Sequence, residues 1–253
     1  MRITIITQNE PFFLSNNIRY FLKNLPPKFK VISCVISKAS PFGKKKSFLE
    51  KILETYKIFG FRFFIYYSLR YCSSILLSKS LKNILKSNQV KIIELVGDIN
   101  SNKSVQIIKE EEPDLLISIL GNQIFKKQIF DIAPKGCLNL HTALLPKYRG
   151  LMPSFWVLKN NEKKTGVSVF FVDKGIDSGP ILVQKEIQIG NMTQAELIRE
   201  TKLLGMKAII EAIQLIQDNR VKLIPNPDKD ATYLSFPKRE DIREFKRAGK
   251  RFY

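Results

Sequence analysis

Three side chains in this sequence have chemistry that their neighbours lack. His141 is the only histidine among 253 residues, and it follows Asn139 by two positions in CLNLHTALLPKYRG. Asp177 sits further along in the turn-rich stretch GIDSGP. The set supplies an amide that donates hydrogen bonds, an imidazole that exchanges protons near neutral pH, and a carboxylate able to orient such a ring. Each also has a purely structural alternative. An Asn-x-His pair arises by chance, a histidine beside a turn is more often structural than catalytic, and aspartate with glycine favours turns whether or not chemistry is done there.

The surrounding elements must bring these groups together. The short apolar strand ending at His141 places Asn139 and His141 on one face and Leu140 on the other, because side chains alternate along a strand. Pro146, Gly150 and Pro153 shape a loop leading into a helix that contains Trp156, and a strand over Thr165–Val172 runs up to the turn holding Asp177. Further strands are expected at Arg2–Thr7, Phe29–Ile36, Lys91–Val96 and Ile181–Ile189. The nearly continuous apolar run DLLISIL after Pro113 suits a strand buried on both faces. Helices are expected at Phe13–Leu25, stopped by Pro26-Pro27, at Asn102–Glu112, and at Thr193–Asn219, where Thr193 and Glu196 have capping-box spacing. Strands alternating with helices predict an α/β fold with a Rossmann-like, mainly parallel sheet flanked by helices. No internal repeat or flexible linker divides the chain. Residues 1–224 read as one catalytic domain and 225–253 as an irregular C-terminal extension.

One segment breaks the rhythm. From Lys38 to Val90 eleven Lys or Arg stand against two Glu, with ten Phe or Tyr interleaved. Nothing but Gly60 interrupts helix from Phe48 to Lys86, so two or three helices are expected. The apolar stretch Phe61–Leu77 is short for a bilayer span and carries Arg62 and Arg70, which argues against a transmembrane helix. A basic, aromatic-rich amphipathic insertion remains, either packed on the protein or touching an anionic membrane. Packing is the preferred expectation.

Composition narrows the function classes. A 44% hydrophobic content supports a folded core, and the opening residues read as a strand rather than a signal peptide. Cys34, Cys72 and Cys137 are odd in number and widely spaced, which argues against a disulfide framework or a metal site and fits a cytoplasmic protein. The net charge of +19 comes without a nucleic-acid-binding motif, so solvated lysines explain it better than a nucleic-acid partner. No GxGxxG follows the first strand, which argues against nicotinamide cofactors.

The central stretch resembles the N10-formyltetrahydrofolate-dependent formyltransferases. The resemblance rests on Asn139-Leu140-His141, Leu144-Leu145-Pro146, Arg149-Gly150, Pro153, Trp156 and Asp177-Ser178-Gly179-Pro180, in order and at family-like spacing, and runs from about residue 114 to 189. It implies that an amine attacks a formyl carbonyl, that Asn139 and His141 donate to the resulting oxyanion, and that Asp177 orients His141. It implies a pterin pocket bordered by Leu120, Gly121, Asn122, Gln123 and Ile124, and by Val172, Asp173 and Ile176. Lys147, Arg149 and Gly150 are the expected substrate contacts, and no metal is expected.

Within that family the size and motif form look most like the enzymes that formylate nucleotide-linked amino-deoxysugars for surface polysaccharide. The methionyl-tRNA enzymes carry a β-rich C-terminal domain, for which too few residues follow the long helix here. The glycinamide ribonucleotide enzymes typically lack the Arg-Gly-x-x-Pro-x-x-Trp stretch. Leu151 stands where the related arabinose enzymes have an arginine, which leaves the diphosphate contacts unassigned. A homodimer is compatible with this reading. The rival from another class is a formyltransferase-like binding protein without activity, against which the intact Asn139, His141 and Asp177 argue.

Overall fold

The computed structural model describes residues 1–8, 10, 12–37, 48–76, 81–95, 97–121 and 123–253. Seven strands form one sheet: β1 (Arg2–Gln8), β2 (Lys30–Ser37), β3 (Lys91–Leu95), β4 (Leu115–Ile119), β5 (Cys137–His141), β7 (Lys164–Phe171) and β8 (Ile181–Gln188). Their order is β3-β2-β1-β4-β5-β7-β8. The first five pair in parallel, and β7 and β8 continue the sheet antiparallel. The expected mainly parallel α/β architecture is therefore present, with element ends moved by only a few residues. β1 and β4 are central, which explains why both of their faces are covered: every residue of β4 is buried, and so are Ile3 to Thr7 of β1.

Helices cover both faces. On one side α1 (Leu14–Asn24) and α8 (Gln194–Gln217) pack Phe21, Ile209 and Ile213 against Ile3, Ile5 and Ile117. On the other, α5 (Asn102–Lys109) and the short α6 (Lys127–Phe130) bury Ile108 and Ile129 against Ile6 and Leu116. The long helix α8 starts with the expected capping box, Thr193 and Glu196 exchanging hydrogen bonds with each other's backbone. Gly205 lets α8 approach β5, since a Cβ there would lie 2.5 Å from Leu140 Cδ2. Leu140 thus faces α8, and its neighbours Asn139 and His141 face the other way.

The insertion holds three helices, α2 (Phe48–Phe59), α3 (Phe61–Leu76) and α4 (Leu81–Ser87), with Gly60 at φ 87° breaking the first pair. Residues 38–47 and 77–80 of the insertion lie outside the described residues. The packing expectation holds on one face: Phe59 and Phe63 stack on each other and meet Phe252 edge-on. On the opposite face of α3, Phe61, Ile65 and Leu69 are exposed. Among the described residues no helix is long and apolar enough to cross a membrane.

The C-terminal segment corrects the expectation of an irregular tail. It contains the two-residue strand β9 (Tyr233–Leu234) and the helix α9 (Arg239–Arg247). α9 was hidden by its charge, because only Ile242 and Phe245 of its nine residues are buried. Phe245 and Phe252 stack with Phe155 of α7 (Pro153–Lys159). Burying each such ring contributes roughly 1.5–3 kcal/mol, so this segment is part of the core and not an appendage.

Candidate active site

The C-terminal ends of β1, β4 and β5 open onto a cleft of about 390 Å³. Parallel strands present ligand-binding groups at this edge. Asn139 and His141, the last odd positions of β5, line one end of the cleft, and Asp177 reaches it from the turn after β7. The three residues chosen from sequence alone are thus neighbours in space.

His141 is 6% exposed, with both ring nitrogens beside acceptors. Nε2 lies 2.7 Å from the Tyr148 carbonyl oxygen. A carbonyl only accepts, so Nε2 carries the proton. Nδ1 lies 3.4 Å from Asp177 Oδ2, within ion-pair range. Of the two ring nitrogens, Nδ1 is the one that faces the carboxylate. The Asn139 side chain has no hydrogen-bond partner among the described residues, so its amide is free to serve a bound group. The expectation that His141 also donates to that group meets a competitor: the ring must exchange the Tyr148 carbonyl for it.

The turn that presents Asp177 is tightly specified. Asp173 Oδ1 accepts from the Gly175 amide at 3.0 Å and from the Ser178 hydroxyl at 2.5 Å. Gly179 passes so close to β7 that a Cβ would meet the Phe171 carbonyl oxygen at 1.7 Å. Asp177 itself has φ 50°, a left-handed conformation that aspartate tolerates better than most residues. Its Oδ2 accepts from the Gly150 amide at 2.8 Å, which ties the turn to the loop after β5.

That loop is held by the C-terminal segment. β6 (Arg149–Gly150) pairs with β9, and Gly150 is required because a Cβ would lie 2.3 Å from the Leu234 carbonyl oxygen at a backbone φ of 96°. The Tyr148 amide donates to the Thr232 hydroxyl, and the Trp156 indole donates to the Ser235 carbonyl. Tyr148 also donates its own hydroxyl to Glu162 at 2.6 Å, and burial followed by that bond pushes its pKa up to about 12.

The expected ligand contacts divide clearly. Leu120, Gly121, Gln123 and Ile124 of the loop after β4, and Val172, Asp173 and Ile176 after β7, line the cleft. Asn122 lies outside the described residues. Leu120, at φ 59°, carries the left-handed backbone in its loop, and the glycine at 121 makes room for the Ser118 side chain. Gly150 lines the cleft, whereas Lys147 is exposed away from it. Arg149 corrects the expectation of a substrate contact. Its side chain is fully buried, and its two terminal nitrogens donate to Asp228, Tyr233 and Asn226. Sequence reasoning missed Gln8, Phe125 and Met152, which also line the cleft. Gln8 ends β1, so the strand-end rule could have found it; Met152 depends on a loop shape that only the fold supplies. The described residues contain no group of His, Cys, Asp and Glu that could hold a metal ion.

Residues 89–213 match the formyl transferase family. A methionyl-tRNA formyltransferase from Kosmotoga olearia is 37% identical over 144 residues, covering 56% of this chain and 46% of that protein. The chain spans about half the length of the curated relatives it matches. Among solved structures, a phosphoribosylglycinamide formyltransferase from Anaplasma phagocytophilum superposes with a TM-score of 0.63 at 15% identity, covering 94% of this chain and 99% of that one. An N-formyltransferase from Helicobacter canadensis, solved with folinic acid and dTDP-3-aminofucose, superposes with a TM-score of 0.58 at 21% identity, covering 97% and 79%. These likenesses establish the fold. Asn139, His141, the Arg149-to-Trp156 loop and Asp177 all fall inside the matched residues, and residues 89–213 carry a formyl transferase domain.

Proposed function

We propose that this chain transfers the formyl group of N10-formyltetrahydrofolate to a primary amine, and that the amine belongs to a nucleotide-linked amino-deoxysugar destined for surface polysaccharide. The observation that carries the reading is the meeting of Asn139, His141 and Asp177 at one end of a single cleft. The walls fit the formyl donor. Ile124 and Ile176 are exposed large apolar side chains on the two loops that border the cleft, suited to the faces of a pterin ring. Backbone N–H and C=O groups of the same loops suit its donor and acceptor edge.

The chain's own groups divide the work. The Asn139 amide donates to the formyl oxygen as that oxygen gains charge, a kind of contact worth about 3 kcal/mol of barrier. His141 takes up a proton lost by the attacking amine, directly or through water, and Asp177 fixes the ring and stabilises its protonated form. The buried position of His141 keeps water from competing.

A sugar-linked amine draws support from the Helicobacter canadensis neighbour and its bound dTDP-3-aminofucose. A second reading, methionyl-tRNA formylation, draws support from the names of the sequence relatives and from the +19 charge. A cytoplasmic place of action accords with the free buried thiols Cys34 and Cys137, that of Cys34 pushed up to about 12 by burial. Mass spectrometry after incubation with N10-formyltetrahydrofolate and a panel of amines separates the readings. The panel holds aminosugar nucleotides, glycinamide ribonucleotide and charged initiator tRNA. Formylation of an aminosugar nucleotide is expected; formylation of the tRNA alone would replace the sugar reading with the second one.

A further inference from the structure

We infer that Asn226, in the C-terminal segment and outside the family-matched residues, is a positioning residue for Asp177. It rests on the reading of Asp177 as the partner of His141 in formyl transfer. The Asn226 side chain donates both of its amide hydrogens to the catalytic turn, to the Asp177 carbonyl at 2.9 Å and to the Gly179 carbonyl at 2.9 Å. Its Oδ1 accepts from Arg149 Nη2 at 2.9 Å, and its backbone carbonyl accepts from the same nitrogen at 2.8 Å. The amide orientation is settled by these partners, because a guanidinium only donates and a carbonyl only accepts.

The residue is held firmly enough to act as a brace. Pro225 and Pro227 restrict the backbone on either side. The preceding Ile224 forms a two-bond antiparallel bridge with Ile181 of β8. Arg149 is in turn fixed by Asp228 and Tyr233. One end of this chain is Arg149, whose neighbour Gly150 donates to Asp177 Oδ2; the other is the backbone of Asp177 itself. Asn226 therefore joins the two segments that place the carboxylate against His141. It adds two hydrogen bonds to the turn that holds the left-handed Asp177.

Replacement Asn226→Asp isolates this role. The new carboxylate keeps an acceptor for Arg149 but cannot donate to the Asp177 and Gly179 carbonyls. Because His141 is the only histidine, its imidazole nitrogen resonances report on the Asp177 contact without assignment and without any substrate. The inference predicts a folded Asn226→Asp protein, with an unfolding midpoint below that of the wild type because two hydrogen bonds are lost and carboxylate oxygens meet the two carbonyls. Its His141 resonances should move toward those of Asp177→Asn, and kcat should fall on the order of tenfold to a hundredfold with little change in KM for the formyl donor. If Asn226→Asp fails to fold, Asn226→Ala is read instead, since its backbone carbonyl still meets Arg149. A folded variant with wild-type His141 resonances would overturn the inference. Displaced resonances in a protein whose wild type formylates nothing would leave the positioning role intact and sink the functional reading instead.

Discussion

Asp177 Oδ2 accepts from the Gly150 amide and lies 3.4 Å from His141 Nδ1, while the Tyr148 carbonyl holds His141 Nε2. The Asn139 side chain alone of the three is free of protein partners among the described residues. In the proposed reaction it is the donor to the charged oxygen, and Asn139→Ala should lower kcat by about 10²–10³ with the fold unchanged. Steady-state rates beside a circular dichroism spectrum check this, and near-normal turnover would remove Asn139 from the chemistry. These residues were legible because their types and spacing form a motif that needs no tertiary knowledge. The role of Arg149 was not. It stands inside the same motif, yet it binds residues 226, 228 and 233, and nothing in the sequence links positions so far apart.

At the scale of elements, strands and long helices were legible because their apolar periodicity matches the faces they bury. α9 and β9 were missed because one is mostly charged and the other is two residues long. The start of α1 shows a further feature set by tertiary structure. The Glu10 carboxylate accepts from the amides of Phe12, Phe13 and Leu14, and Lys202 of α8 approaches it at 3.5 Å. Burial lowers the pKa of Lys202, and the attraction of Glu10 offsets this only in part. The folded chain thus binds this proton less tightly than the unfolded chain. Stability contributed here is complete above the ordinary lysine value of about 10.4 and is lost as pH falls through the lower folded value. Urea unfolding at several pH values should show wild type gaining stability relative to Lys202→Met as pH rises toward 10.4. A difference independent of pH would mean that the amine is not desolvated.

At the scale of the whole molecule, the sheet edge, the loop after β5 and the turn after β7 line one cleft, the C-terminal segment braces that loop, and the account assigns the cleft a single reaction. The most direct test is formyl transfer from N10-formyltetrahydrofolate to the amine panel, measured for wild type and for His141→Ala side by side. Retained stabilisation by 5-formyltetrahydrofolate would confirm that the variant still binds the donor. The account predicts a formylated product with the wild type, and a rate lower by orders of magnitude with His141→Ala at saturating donor. Equal rates for the two proteins, or a wild type that binds the folate and formylates none of the amines, would contradict it.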